Sequence, residues 1–176
     1  MHLLLRLLTG TDRRSIGRSD LAAQRVLRQP RLLSVLFDGV RPDDPVLRMR
    51  CADAIEKATR TRPSLLKPYR AQLLGRYAAI EQPEVRWHVA AMLGRLQLSA
   101  RYEACAVKPL LAFTTDQSRI VRTLAMQSLA DLALSNPAIQ SQVLPRLKEL
   151  TTTGTPAMRA RGRRLLRILE PTAASG

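Results

Sequence analysis

The chain has 176 residues and carries 29 basic against 14 acidic side chains, a formal net charge of +15. Hydrophobic residues make up 45% of the sequence but aromatic residues only 3%. This composition favours an all-α protein over a strand-rich one, because the β-branched and aromatic enrichment of strands is missing. No apolar run reaches the roughly 18 residues that a membrane-spanning helix needs, so the sequence contains no predicted membrane span.

The first residues of the chain, 1–18, are basic and rich in Gly, Ser and Thr, and we expect a flexible segment there. Its apolar start is short and interrupted by Arg6, which does not fit a secretory signal, so we expect a cytoplasmic protein. A helix is predicted next, over 20–28, as the N-terminal cap of a single domain spanning 19–170. We expect a disordered tail at 171–176.

Four segments of the chain repeat at nearly constant spacing: 44–58, 82–96, 118–132 and 155–169. Each segment carries an apolar residue followed by arginine at the same position, and successive arginines are offset by 38, 36 and 37 residues. Apolar residues recur with helical spacing in each segment, which predicts four helices. The predicted N-cap residues of three of them are Asp44, Ser118 and Thr155.

A partner helix is predicted before each repeated segment, at 30–40, 63–80, 101–115 and 137–152. Pro68 and Pro109 fall inside two of these helices and should either kink them or mark where the helix proper begins. The resulting helical hairpins span approximately 30–60, 63–98, 101–134 and 137–169. We therefore predict an all-α, right-handed α-solenoid of about four hairpins, in which each pair stacks on its neighbours.

The repeated segments resemble the HEAT repeat, whose pattern is an Asp-Pro turn followed by Val-Arg and then Ala or Leu at core positions. The segment DPVLRMRCADAIEKA at 44–58 shows this pattern, and the resemblance covers roughly residues 30–170. It implies HEAT-type hairpins and an architecture similar to that of small bacterial HEAT-repeat proteins.

In the HEAT family the recurrent arginine often pairs with an aspartate of the preceding turn, which forms a ladder between repeats. The resemblance therefore implies a structural role for Arg48, Arg86, Arg122 and Arg159. Asp116 occupies the family's aspartate position before Arg122. Near matches precede the first two arginines, at Asp43 and Glu81, and the last arginine has Thr153 there.

HEAT proteins commonly bind partners through a concave surface that the second helix of each repeat forms. This implies a binding surface built from inner-face residues of the repeated segments: Arg50, Asp53, Trp87, Arg95, Gln127, Arg161 and Arg164. Trp87 is the only tryptophan of the chain and points away from the apolar stripe of its helix. It is predicted to be either an exposed anchor for the partner or, as we favour, a partly buried side chain.

Sequence motifs for catalysis are absent: there is no Gly-rich phosphate loop, GxSxG or HExxH pattern. Cys51 and Cys105 lie far apart among apolar neighbours, which predicts two buried thiols and no metal site. We therefore predict no catalytic residue, no metal and no cofactor, and expect a monomeric, non-enzymatic scaffold that binds a protein.

The alternative function is binding of a nucleic-acid phosphate backbone, because the chain is basic and its arginines are densest at 156–167. A remote alternative is DNA alkylation-repair glycosylase activity, since a branch of HEAT-like proteins uses Trp or Tyr and an Asp in a basic groove. Trp87 and Asp53 match that pattern, but the predicted groove lacks a second aromatic residue.

Overall fold

The computed structural model of the protein describes residues 1–41, 43–96 and 100–170, with the backbone alone for residues 100–104. Within these residues the chain forms helices and no strand, which confirms the predicted all-α fold. The chain divides into two compact units, Met1–Met92 and Leu93–Gly176. Such a division is typical of helical repeats, which contact mainly their neighbours in sequence; the single domain over 19–170 stays a prediction. The predicted tail at 171–176 and the end of the second predicted hairpin, at 97–98, lie outside the described residues.

The first unit begins with a short helix and ends in the second helix of the second predicted hairpin. Its α-helices are α1 (Leu3–Arg6), α2 (Ser19–Arg28), α3 (Leu33–Gly39), α4 (Pro45–Thr61), α5 (Arg70–Gln72) and α6 (Pro83–Leu93). Two 3-10 segments, Pro30–Leu32 and Pro63–Tyr69, precede α3 and α5, and a π-helical turn follows α5 at Leu73–Tyr77. The helices of the second unit are α7 (Ala100–Phe113), α8 (Arg119–Ser135), α9 (Gln140–Thr153) and α10 (Pro156–Leu169).

Helix α4 is the centre of the first unit and packs against both α2 and α3. Asp44 begins the helix as predicted, since its side chain accepts hydrogen bonds from the backbone N–H groups of Val46 and Leu47, both at 3.0 Å. The buried side of α4 contains three alanines together with Cys51 and Ile55. Small side chains at a helix crossing let two backbones approach closely, and this allows α4 to contact helices on two sides.

The helix predicted over 63–80 is broken into a 3-10 segment, the short α5 and a π-helical turn. Pro68 lies inside the 3-10 segment, where its ring and missing N–H disfavour regular α-helical hydrogen bonding. The expected disruption at this proline is therefore confirmed. Pro109, by contrast, lies inside α7, which the structure describes as one continuous helix.

The second unit consists of two helical hairpins, α7 with α8 and α9 with α10, and α8 also packs against α10. Ser118 and Thr155 cap α8 and α10 as predicted, because their side chains accept hydrogen bonds from Val121 N and Met158 N, both at 3.4 Å. Gly162 allows α10 to lie close to α9, since a Cβ atom at this position would be 2.9 Å from the Cβ of Thr151.

Two leucines of residues 1–18, the segment expected to be flexible, pack into the rest of the first unit. Leu4 and Leu8 are 2% and 0% exposed. The guanidinium group of Arg50 holds the segment, because it donates hydrogen bonds to four of its backbone carbonyls. The acceptors are Leu8 O at 3.2 Å, Thr9 O at 2.8 Å, Asp12 O at 3.1 Å and Ser15 O at 2.9 Å. A buried arginine bonded to distant carbonyls leaves no periodic pattern in a sequence, so composition alone predicted a loose segment.

Glycine is required where the chain passes the Arg50 side chain. Gly17 has a φ of +56°, in the left-handed region that other residues seldom adopt. A Cβ atom at Gly10 would lie 3.1 Å from Cζ of Arg50 and closer still to one of its nitrogens.

No helix among residues 1–41, 43–96 and 100–170 is both long and apolar enough to cross a membrane.

Candidate functional site

The predicted binding residues of the first unit lie on α4 and α6, but two of them are not at the surface. Arg50 and Asp53 are only 5% and 7% exposed. Arg50 is occupied by the N-terminal segment, and Asp53 lies inside a network of polar side chains. Both residues were predicted to face a partner, and the structure instead gives them partners within the unit. Trp87 is half-buried, with its ring in an edge-on arrangement 5.7 Å from the ring of His88.

The polar network around Asp53 joins three helices of the first unit. The Ser19 hydroxyl, at the start of α2, donates a short hydrogen bond to Asp53 Oδ2. Lys57 Nζ lies 2.7 Å from Asp53 Oδ2 and 2.7 Å from Asp20 Oδ1. His88 approaches from α6, with its Nε2 3.7 Å from Asp53 Oδ1. We call these five residues the Asp53 cluster.

Burial and neighbouring charges shift the pKa of two members of the Asp53 cluster, Lys57 and His88. Burial opposes the charge on Lys57, but its hydrogen bonds to Asp20 and Asp53 outweigh this and raise its pKa above the ordinary value. Burial lowers the pKa of His88 to about 4, against the opposing effect of the Asp53 charge. His88 is therefore a neutral imidazole at pH 7, held beside an aspartate and a charged lysine.

The cluster is not a metal site of the usual kind. Across the part of the chain that the structure describes, no group of three or more His, Cys, Asp and Glu side chains has the arrangement needed to hold a metal ion. A lysine that bridges two aspartates already supplies the positive charge that a cation would bring.

The predicted binding residues of the second unit are closer to the surface, and two of them are in contact. Arg161 Nη1 donates a hydrogen bond to Gln127 Oε1 at 3.1 Å, and Gln127 Nε2 donates one to Asp131 Oδ1 at 2.8 Å. Burial raises the pKa of Asp131, which Gln127, Arg95 and Arg161 partly offset. Arg164 is exposed, and Arg95 is half-buried. Sequence reasoning missed Asp131, although its position four residues after Gln127 on α8 was a detectable signal.

An apolar groove lies beside this contact, between the first turns of α8 and α10. It has a volume of about 530 Å³, and Arg119 and Arg161 border it. Its apolar lining comes from Ile120, Leu124, Pro156 and Ala157. Ile120 is 52% exposed, so its side chain is accessible within this apolar lining. We call this feature the α8–α10 groove; sequence reasoning missed it, because Ile120 lies one position before the repeated Val-Arg pair.

The arginines expected to form a ladder have different partners. Arg48 Nη2 lies 3.1 Å from Asp43 Oδ1, the near match in its turn. Arg86 Nε donates to the carbonyl of Ile80 at 2.8 Å.

Asp116, at the family's aspartate position before Arg122, accepts a hydrogen bond from Ser118 N at 2.7 Å. This hydrogen bond closes the turn before α8, because a short aspartate side chain reaches the nearby backbone easily. The predicted pairing of Asp116 with Arg122 stays a prediction. Arg159 is exposed at the surface of α10.

The two cysteines differ in environment, which corrects the expectation that both are buried. Cys51 is buried in α4, and burial raises its pKa to about 12. Cys105, in α7, is exposed. Apolar neighbours in sequence do not decide burial on a helix, because adjacent residues point about 100° apart.

The repeated helix pairs and their capping pattern define a helical, HEAT-like fold. No protein-family model matches the sequence, and no curated protein matches it. A solved structure does match in fold: that of the complex of CpcE and CpcF of phycocyanin lyase from Nostoc sp. PCC7120. The match has a TM-score of 0.71 at 20% sequence identity and covers 92% of this chain and 95% of the other.

This likeness corrects one expectation from the sequence. The absence of catalytic motifs suggested a protein that is not an enzyme, whereas a structure with this fold belongs to a lyase. Motif searches detect catalysis only where it depends on short local patterns, and a HEAT-like fold brings functional side chains together from separate helices.

Proposed function

We propose that the chain is a HEAT-like protein that binds a protein partner through the α8–α10 groove. The observation that carries this proposal is the exposed Ile120 side chain in an apolar groove with an arginine on each side. Protein interfaces commonly combine an apolar centre, where one partner inserts a side chain, with a polar rim that sets orientation and specificity. The groove has both features.

The charges around the groove indicate the chemistry of the partner. Arg119 and Arg161 border the groove, and the rest of α10 exposes four further arginines, Arg159, Arg163, Arg164 and Arg167. Glu170, at the end of α10, is paired with Lys148 at 2.8 Å and offsets little of this charge. We therefore infer that the partner presents an acidic segment with an aliphatic or aromatic anchor residue, because such a segment matches both the rim and the centre.

The comparison with known structures supports a protein partner. CpcE and CpcF form a complex of two proteins, and a chain of that structure has the fold of this one. Under this proposal the chain acts in the cytoplasm and is a monomer until it meets its partner.

Selection from a library of displayed short random peptides tests the proposal. We expect enriched peptides to contain an apolar residue flanked by Asp or Glu. Replacing Ile120 by Asp should weaken binding of the enriched peptides by about tenfold or more, because it places a charge in the apolar centre. Leu134→Asp is the matched control, since Leu134 is also on α8 and is 46% exposed but does not line the groove.

Two results would contradict the proposal: a selection that enriches no acidic peptide, or equal losses for the two aspartate variants. Labelled duplex DNA added at low and high salt provides a further comparison. If DNA displaces the peptides and its affinity for the chain falls steeply with salt, the chain binds the nucleic-acid phosphate backbone, which is the alternative function predicted from the sequence.

A second candidate function is a lyase-type reaction, of the kind named for the CpcE–CpcF complex. The Asp53 cluster favours it, because it places a neutral imidazole beside a buried carboxylate and a charged lysine. His88 is 13% exposed in its side chain, so a group bound at the surface can reach it. We expect phycocyanin mixed with the chain to change its chromophore absorbance, and expect His88→Asn to abolish the change. An unchanged spectrum with the unmodified chain would contradict this function.

A further inference from the structure

A second pocket, in the first unit, lies between α1, the end of α2 and the 3-10 segment Pro30–Leu32. Its volume is about 630 Å³, which falls within the range of pockets that hold small organic ligands. It is separate from the Asp53 cluster, none of whose residues line it. We call it the α1–α2 pocket.

Three arginines line the α1–α2 pocket: Arg25 and Arg28, one turn apart on α2, and Arg31 in the following 3-10 segment. All three side chains are exposed, and no Asp or Glu lines the pocket. Within the described part of the chain, none of the three forms an ion pair. Other arginines and lysines of this unit, such as Arg13, Arg48 and Lys57, do have carboxylate partners. The pocket therefore concentrates positive charge that the protein itself does not neutralise.

His2 adds a hydrogen-bond donor to the same pocket. Its Nδ1 accepts a hydrogen bond from Leu4 N at 3.0 Å, where it caps α1. An imidazole that accepts through Nδ1 carries its proton on Nε2, so the other nitrogen is a donor. The polar groups of the pocket are thus mostly donors, which suits an acceptor-rich anion.

The remaining lining is apolar. Leu4 is buried, Leu32 and Val35 are half-buried, and Leu3 is 69% exposed. A bare inorganic anion would satisfy the arginines but would leave this apolar surface in contact with water. An apolar molecule without charge would make no use of the three guanidinium groups.

From this arrangement we propose that the α1–α2 pocket binds a small organic anion that carries two or more phosphate or carboxylate charges on an apolar skeleton. The guanidinium groups hold the charged end by paired N–H···O bonds, because their planar geometry matches both carboxylate and phosphate oxygens. The leucines and Val35 cover the skeleton. This site is independent of the protein-binding function proposed for the second unit.

The test uses geranyl diphosphate as probe, with inorganic pyrophosphate and geraniol as its separate charged and apolar halves. Binding to the full chain is measured by calorimetry at low and moderate salt. We expect geranyl diphosphate to bind about tenfold or more tightly than either half, since only the whole molecule contacts both linings.

Two variants separate the pocket from general surface charge. Replacing Arg25, Arg28 and Arg31 together by Gln should weaken geranyl diphosphate binding by about tenfold or more. The control replaces three exposed arginines of the same unit that do not line the pocket, Arg14, Arg62 and Arg76, and so changes the net charge equally. We expect this control to bind like the unmodified chain.

A third variant tests the apolar lining. Val35→Thr keeps the side-chain shape and should weaken the binding of geranyl diphosphate but leave the affinity for pyrophosphate unchanged.

Three outcomes would overturn the proposal. The first is no binding of geranyl diphosphate to the unmodified chain. The second is an equal loss of affinity in the pocket variant and the charge-matched control, which would show only general attraction of anions. The third is equal affinity for pyrophosphate and geranyl diphosphate, which would show that the apolar lining takes no part. Circular dichroism of each variant confirms that it is folded before binding is compared.

Discussion

Replacing His88 by Asn removes an imidazole that the folded protein keeps neutral. In the native state burial lowers its pKa to about 4, and in the unfolded chain the ordinary value for histidine, near 6.5, applies. The charges of Asp53 and Glu56 raise the pKa of His88, those of Lys57 and Arg60 lower it, and their sum does not offset the burial. Asn retains a polar side chain that can hydrogen-bond to Asp53 but does not titrate.

The magnitude follows from proton linkage. Above pH 6.5 neither state binds a proton at His88, so the residue causes no pH dependence there. As the pH falls from about 6.5 to 4, His88 binds a proton in the unfolded chain but largely not in the folded chain. The native state therefore loses stability. The difference of about 2.5 pKa units, at about 1.4 kcal/mol each, sets an upper limit near 3.4 kcal/mol. At pH 4, where the native imidazole is half protonated, the loss is about 3 kcal/mol.

Urea unfolding of both proteins, followed by circular dichroism between pH 7 and pH 4, measures this loss. The carboxylates that also titrate in this range are present in both proteins, so their effects largely cancel in the comparison. We expect the unmodified protein to lose about 3 kcal/mol more than His88→Asn between these pH values. A parallel pH dependence for His88→Asn and the unmodified protein would refute the argument.

Three further predictions concern packing. Arg50→Met should destabilise the protein by about 3 kcal/mol or more, because four backbone carbonyls lose a charged hydrogen-bond donor. It should also increase amide hydrogen exchange in residues 8–15. Unchanged exchange there would contradict the role of Arg50. Gly162→Ala should lower the free energy of unfolding by about 1–3 kcal/mol, because the added Cβ would overlap Thr151. The control Gly75→Ala, with no atom within 4 Å of the added carbon, should be neutral or slightly stabilising. Equal effects of the two variants would refute the close approach of α9 and α10 at Gly162. A thiol reagent at pH 8 should label one cysteine per native chain, Cys105, because Cys51 is buried and its pKa is raised to about 12; labelling of both would contradict the burial of Cys51.

Much of the local structure could be predicted from sequence, because it depends on short-range physics. The spacing of apolar residues predicted the repeated helices, and Asp44, Ser118 and Thr155 begin three of them as expected. Pro68 disrupts its helix for a reason that lies within the residue itself. The HEAT-like pattern likewise predicted the fold, because each repeat needs the same type of residue at the same position.

The candidate sites could not be predicted in the same way, because they depend on which distant residues meet. Arg50 and Asp53 look like surface charges on a helix, and their burial becomes evident only when residues 8–15 and α2 are placed over α4.

For this protein, the sequence by itself determined the all-α class, the repeat period and the helix starts, because propensity, capping and periodicity act over a few residues. Only the tertiary structure showed that Arg50 binds the backbone of residues 8–15 and that His88 is neutral. It alone also brought Arg25, Arg28 and Arg31 around an apolar pocket and left Ile120 in an open groove. The burial of a side chain and its electrostatic partners depend on contacts between different helices, and a local sequence pattern does not specify those contacts.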